Sequence, residues 1–254
     1  MSKSHSGADS KNHDDIGFGV KIRNYIFAGM KWKWKLAQAM EIRWWKYYLS
    51  GKTPEDYLQK KIAYWERVMA KAQIHLPSGA RVLDAGCGPA GIFIALPGQQ
   101  VDAVDPLLGQ YERSLAHFNP ADYPNVRFVS MPLEDYRSDE PYDVIFCLNA
   151  INHVADINRA MNRLVAGLRP NGRLWLSIDA HRHRFLRSVF QWLPGDILHP
   201  HQYQLEEYRQ MLTSRGLEVV KSIRLKPGHI FDYYLLEAKF ADDIRHSRVK
   251  TPEE

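Results

Sequence analysis

The stretch Val82-Leu83-Asp84-Ala85-Gly86-Cys87-Gly88-Pro89-Ala90-Gly91 decides the fold. Three apolar residues around one acid read as a buried strand, and the glycine-rich run behind them as a tight turn. Missing side chains in such a turn let a ligand approach the backbone and its amides. Gly86, Gly88 and Gly91 fit the spacing GxGxxG, by itself a weak sign of any nucleotide. Asp84, two residues ahead of the first glycine, shifts the reading. A carboxylate there accepts from an ammonium group, and a nicotinamide dinucleotide has none to offer.

Outward from this turn, apolar strands alternate with helices. Strands are expected at 81–85, 100–105, 126–131, 142–149, 172–179, 217–225 and 230–240, with helices at about 90–96, 107–118, 156–168 and 204–215. This alternation predicts a mostly parallel sheet covered on both faces. The last two strands lie too close for a helical crossover and should form an antiparallel hairpin around Lys226-Pro227-Gly228-His229.

Ligands of open α/β sheets bind at the carboxyl ends of strands, and four such ends here carry polar residues. Asp84 closes the first. Asp105, followed by Pro106, closes the second about twenty residues on, where an acid suits ribose hydroxyls. The third leads into Met131-Pro132-Leu133-Glu134-Asp135, with acids where an adenine amino group would be met, although acids before a helix are also ordinary caps. The fourth leads into Asn149-Ala150-Ile151-Asn152-His153-Val154.

The chain has 254 residues, 45% of them hydrophobic and 12% aromatic, enough for an ordinary core and against a disordered or fibrous protein. Cys87 and Cys147 are too few for a disulfide framework, and no CxxC pair suggests zinc, so a reducing, cytoplasmic compartment is expected. No secretory signal opens the chain, and no run approaches the roughly 20 apolar residues a spanning helix needs. The net charge of +5 resides entirely in residues 1–50, which also hold four of the seven tryptophans. Residues 1–15 read as a disordered tail. From about 20 to 50 a helix is expected with Trp32, Leu36, Ala37, Met40, Trp44, Tyr47 and Tyr48 on one half and Lys31, Lys35, Arg43 and Lys46 opposite. Two readings of it stay open: a lid whose aromatic face packs on the domain, or an interfacial helix on an anionic membrane surface at the inner face. A second helix starts at Thr53-Pro54-Glu55-Asp56, with a cap, a first-turn proline and acids at the positive end of the dipole, and runs to about Ile74.

Together, LDAGCGPAG, VDAVDP, PYDVIFCLNAINHV and LRPNGRLWLSID resemble the class I S-adenosylmethionine-dependent methyltransferases over about residues 76–240. The sequence is most similar to the small-molecule enzymes of the ubiquinone-biosynthesis type, with Asn152-His153-Val154 where those carry Glu-His-Val. The resemblance implies a Rossmann-like seven-stranded sheet in the order 3-2-1-4-5-7-6, strand 7 antiparallel, with helices on both faces and an N-terminal helical extension. It implies S-adenosylmethionine as cofactor. The Gly86 and Gly88 backbone would meet its methionine part, Asp84 its ammonium and Asp105 with Pro106 its ribose. The Leu133 amide with Glu134 or Asp135 would meet the adenine, while the Asn149 and Ala150 carbonyls would lie beside the methionine.

The fourth strand lacks the Asn/Asp-Pro-Pro-Tyr/Phe of nucleobase and amide methylation, and the catalytic part is electrically neutral, so no nucleic acid partner is expected. An insertion at about 180–203 would cover the acceptor. His199, His201 and Tyr203 from it, with His153, are candidates for acceptor binding or proton removal, histidine being suited to a base near neutral pH. No metal site is expected, since His181 and His183 lack a matching acid cluster. The domain plan is a tail at 1–15, a helical extension at 16–75, the catalytic domain at 76–240 and a C-terminal tail at 241–254. The expected activity is methyl transfer to an apolar, aromatic or lipid-like small molecule. A protein or peptide methyltransferase and a non-catalytic cofactor-binding membrane partner are the alternatives.

Overall fold

A computed structural model describes residues 38–181, 203–226 and 231–242. The strands are β1 Arg81–Ala85, β2 Gln100–Val104, β3 Val126–Val129, β4 Tyr142–Cys147, β5 Leu168–His181, β6 Leu217–Lys226 and β7 Phe231–Phe240. They form one sheet in the order β3-β2-β1-β4-β5-β7-β6. The first five pair in parallel, and β7 runs antiparallel to β5 and β6, as expected. The turn at 227–230 lies outside the described residues.

The apolar runs of β1 and β4 are explained by burial on both faces. Successive side chains alternate between two cores. Val144, Phe146, Trp175 and Leu235 face one side, where α2 (Pro54–Ala72) and α3 (Leu108–Ser114) pack. Ile145, Cys147, Leu174, Leu176 and Leu236 face the other, where α4 (Ile157–Ala166) and α5 (Leu205–Thr213) pack. The first three strands are cross-tied by Asp102 of β2, which pairs with Arg81 of β1 at 3.0 Å and Arg127 of β3 at 2.7 Å.

Helix α2 begins as its sequence predicts: the Thr53 hydroxyl accepts from the Asp56 amide at 3.3 Å, with Pro54 in the first turn. Trp65 on its inner face is 4% exposed and donates from Nε1 to the Ala90 carbonyl at 3.1 Å, which seats the helix on the glycine turn.

Two expectations need correction. The helix expected at 90–96 is two short 3₁₀ segments, Gly88–Ala90 and Ile92–Ala95. Gly91 between them is extended (φ −69°, ψ −173°), and Asp84 takes the Phe93 amide at 3.1 Å, so no α-helical ladder forms. Strand β5 starts at Leu168, before Gly172, because its register against β4 shifts between Tyr142 and Val144. In the N-terminal extension, α1 spans residues 38–49 of the described part. The stripe Ile42, Trp45 and Leu49 faces the domain, whereas Met40, Trp44, Tyr47 and Tyr48 are 40%, 49%, 80% and 39% exposed. In the described part of the helix, Trp44 and Tyr47 therefore point outward, whereas Trp45 packs on the domain. Trp32, Leu36, Ala37, the tail at 1–15 and most of the insertion lie outside the described residues. Among the described residues no helix is long and apolar enough to cross a membrane.

Candidate active site

The carboxyl ends of β1 and β2 meet the glycine turn, and their acids are its framework. Asp84 is 1% exposed and accepts from the Phe93 amide. A Cβ at Gly91 would stand 2.3 Å from its Oδ2, so only glycine lets the turn close on this carboxylate. Gly86 holds φ +73°, and a Cβ there would stand 2.2 Å from the Ala150 Cβ. Its amide and that of Cys87 donate to the Val104 carbonyl at 2.7 and 3.2 Å, joining the ends of β1 and β2. Asp105 is 8% exposed and accepts from the Gly88 amide at 3.0 Å and the Leu107 amide at 2.8 Å, with Pro106 turning the chain between them.

Among the described residues neither Asp84 nor Asp105 has a cationic partner, and each pKa is pushed up to about 7. For Asp84 the cause is burial. For Asp105 it is burial and then Glu41, a third carboxylate that reaches the site from α1. Glu41 Oε1 accepts from the Tyr111 hydroxyl at 2.9 Å and from Trp45 Nε1 at 3.4 Å. Trp45 itself lies 4.0 Å from where a Cβ on Gly88 (φ +58°) would stand. The N-terminal helix thus stands over the glycine turn.

The other strand ends behave differently. Leu133 is buried, but the Glu134 carboxylate accepts from the Ala155 and Asp156 amides at 2.6 and 3.1 Å, and Asp135 pairs with Arg159 at 2.5 Å. Glu134 thus ties the third loop to the segment leading into α4, and Asp135 ties it to an arginine on α4, while Asp156 caps the helix. Asn149 adopts φ +56°, a left-handed turn asparagine tolerates, and its amide donates to Ser177 Oγ at 2.7 Å. Ala150 follows, with its carbonyl accepting from the His153 amide at 3.0 Å.

His153 is exposed at this strand end. Asn152 is buried and accepts from the Tyr208 hydroxyl, against whose ring Tyr203 packs edge-on at 5.6 Å. His153, Asn152 and Tyr203 are thereby gathered near one strand end. His199 and His201 lie outside the described residues.

Several residues here were not singled out from sequence. Ser177 and Asp179 continue the strand-end pattern onto β5, and applying the same rule to that strand would have found them. Tyr233 donates to Ser177 at 2.8 Å, and its hydroxyl lies within electrostatic reach of that of Tyr64 on α2. Asp179 pairs across the sheet with Tyr233. Glu41 had one signal: it is the only acid between Asp15 and Glu55.

The two raised carboxyls set a pH dependence. Their ordinary unfolded pKa lies near 4, so between about 4 and 7 the folded chain binds more protons than the unfolded one, and stability falls as pH rises through that window. In urea unfolding of the ligand-free protein at pH 5 and pH 8, Asp105→Asn is expected to reduce this loss. A loss identical to that of the wild type would refute the raised Asp105 carboxyl.

A family profile described as a methyltransferase domain matches residues 56–222. The ubiquinone biosynthesis O-methyltransferase of Rickettsia akari (strain Hartford) is 28% identical over 205 residues, 74% of this chain and 74% of that protein. The protein of the same name from Rickettsia conorii (strain ATCC VR-613 / Malish 7) is 30% identical over 183 residues, 66% of this chain and 60% of that one. Among solved structures, the magnesium protoporphyrin IX methyltransferase of Synechocystis PCC 6803, with bound S-adenosylhomocysteine, shares the fold with a TM-score of 0.53 and 23% identity, covering 78% of this chain and 93% of that one. With the family profile spanning the glycine turn, its flanking acids, the first five strands and part of the sixth, the chain belongs to the methyltransferase-domain family and is an S-adenosylmethionine-dependent methyltransferase.

Proposed function

We propose that the enzyme moves the methyl group to a small organic acceptor seated over the carboxyl ends of β4 and β5. The observation that carries this reading is the pair of buried carboxylates, Asp84 and Asp105, that bracket a glycine turn without a cationic partner among the described residues. Such a donor set fits S-adenosylmethionine, whose ammonium and ribose hydroxyls supply what the two acids lack. Each carboxylate already accepts from backbone amides and keeps lone pairs for a ligand.

In this reading Asp84 holds the ammonium, and the Gly86 and Gly88 backbone lines the methionine part. Asp105 with Pro106 holds the ribose. The loop of Leu133, Glu134 and Asp135 flanks the adenine, with the Leu133 amide as its contact and the two carboxylates fastening the loop. Asn149 and Ala150 offer carbonyls beside the methionine. When bound, the cofactor supplies an electrophilic methyl on a sulfonium. The chain's own part is chiefly positioning: holding donor and acceptor in line converts a bimolecular step into an effectively unimolecular one. Trp45 and Glu41, standing over the glycine turn, would exclude water from the donor side.

The names of the curated relatives favour oxygen as the methylated atom and an aromatic or lipid-like acceptor. An acceptor hydroxyl loses a proton as the methyl arrives, and His153, exposed at the end of β4, is our candidate to take it. Tyr203 and, from the insertion, His199 and His201 would border the acceptor. The exposed residues Met40, Trp44 and Tyr47, with Arg43 and Lys46 on the same helix, support contact with an anionic membrane surface by the N-terminal extension.

Calorimetric titration tests the cofactor site. S-adenosylmethionine and S-adenosylhomocysteine are expected to bind and NAD not to, with Asp105→Ala weakening both by at least about tenfold, or about 1.4 kcal/mol. Unchanged affinity in that variant would remove the ribose assignment. Once an acceptor is turned over, His153→Ala should lower kcat and leave S-adenosylhomocysteine affinity as it was; equal turnover would exclude His153 as the base. In vesicle sedimentation the wild type should follow anionic and not neutral vesicles, and Trp44→Ser with Tyr47→Ser should release it. A wild type that stays in the supernatant would end the membrane reading.

A further inference from the structure

A cavity of about 430 Å³ lies where α1 turns into α2. Its volume is that of a small-molecule site, within the range of about 300–1,000 Å³. Tyr48 of α1, Lys52 of the connecting turn, and Tyr57, Lys60, Lys61 and Tyr64 of α2 wall it. The last four recur at helical spacing, so they share one side of α2.

Three features of these walls converge. The three lysines share the cavity with a single acid, Asp56, and among the described residues none of the three forms an ion pair. Two are held on aromatic faces. Lys52 Nζ lies 3.2 Å from the Tyr48 ring centroid, and Lys61 Nζ lies 5.5 and 5.4 Å from those of Tyr64 and Trp65. Tyr57 is 4% exposed, and its hydroxyl is buried with no hydrogen-bond partner. Buried polar atoms are nearly always paired, and an unpaired one in a cavity wall marks a place where a ligand atom completes the bonding. Burial also lowers the pKa of Lys61, because its ammonium loses hydration with no carboxylate to replace it.

The cavity adjoins the strand ends through Tyr64. This residue lines the cavity and lies within electrostatic reach of Tyr233 and Asp179; Tyr233 donates to Ser177, which in turn accepts from the Asn149 amide. We propose that the cavity is a subsite for an anionic group, a carboxylate or phosphate, carried by the methyl acceptor. Such a group accepts from the Tyr57 hydroxyl and from the lysine ammoniums at once, while the aromatic walls flank the body that bears it. The inference rests on the reading that the acceptor docks over β4 and β5. It narrows the acceptor to an acid.

The test is calorimetry on the full chain loaded with S-adenosylhomocysteine, using benzoate and phenyl phosphate as probes, benzamide as the neutral match and inorganic phosphate as the free anion. At least one aromatic anion is expected to bind at least tenfold more tightly than benzamide and than inorganic phosphate. Lys61→Gln should weaken it at least fivefold. Tyr57→Phe should weaken it severalfold while unfolding at the same or a higher urea concentration, because the lost hydroxyl had no partner in the free protein. A purely structural Tyr57 would not separate those two readouts. Benzamide binding as well as the anions, or affinity unmoved by both substitutions, would overturn the subsite. Inorganic phosphate matching phenyl phosphate would assign the cavity to a free anion and overturn its link to the acceptor. The S-adenosylhomocysteine titration is scored by itself: its failure counts against the methyl-transfer reading, whereas the anion arms report on the cavity.

Discussion

The carboxylate of Asp84 sits at the end of β1 with almost no contact with water, accepting from the amide of Phe93. Burying an acid is unfavourable unless its environment supplies donors, and here the chain supplies them by folding the next segment back over it. That demand breaks the following helix into two 3₁₀ segments and leaves room only for glycine at position 91, where a Cβ would stand 2.3 Å from the acid. The turn so formed presents the Ala90 carbonyl, to which Trp65 donates, and that bond sets where α2 lies. One buried acid thus fixes the turn, and the turn seats α2.

A second acid extends the logic to the N-terminal extension. Asp105 is surrounded by backbone amides, and Glu41 comes near it on α1 with Tyr111 as its hydrogen-bond donor. Burial and then the nearby Glu41 carboxylate push the Asp105 pKa up. The site without ligand is therefore electrostatically strained in favour of protons, and a cation or a set of hydroxyl donors relieves that strain.

Across α2 the balance of charge reverses. The glycine turn is bounded by carboxylates, and the cavity between α1 and α2 by lysines. Two neighbouring sites of opposite sign sort two substrates and keep each from the other's place, since like-charge juxtaposition is costly. The same α1 contributes to both sites, Glu41 and Trp45 to one and Tyr48 to the other, and leaves its remaining aromatic residues exposed to solvent.

What the sequence by itself determined is what depends on neighbours along the chain. Strand period, the acid at the end of β1, the glycine spacing and the cap at Thr53 are local patterns, and from them the parallel sheet, the antiparallel last hairpin and the acid-flanked turn could be read. Glu134 shows the boundary: its position in the loop was legible, but its bonds to two backbone amides some twenty residues away were not. What only the tertiary structure decided is the rotation of each helix about its own axis. Trp44 and Tyr47 of α1 face out and Glu41 faces in, a choice made by contacts with Tyr111, 70 residues distant, to which periodicity is blind. The hydrogen-bonded run from Tyr233 through Ser177 to Asn149, with Tyr64 beside its first member, joins β7, β5 and the end of β4 and brings α2 to them. Such a run exists only once those elements have packed, because no local rule relates residues so far apart in the chain.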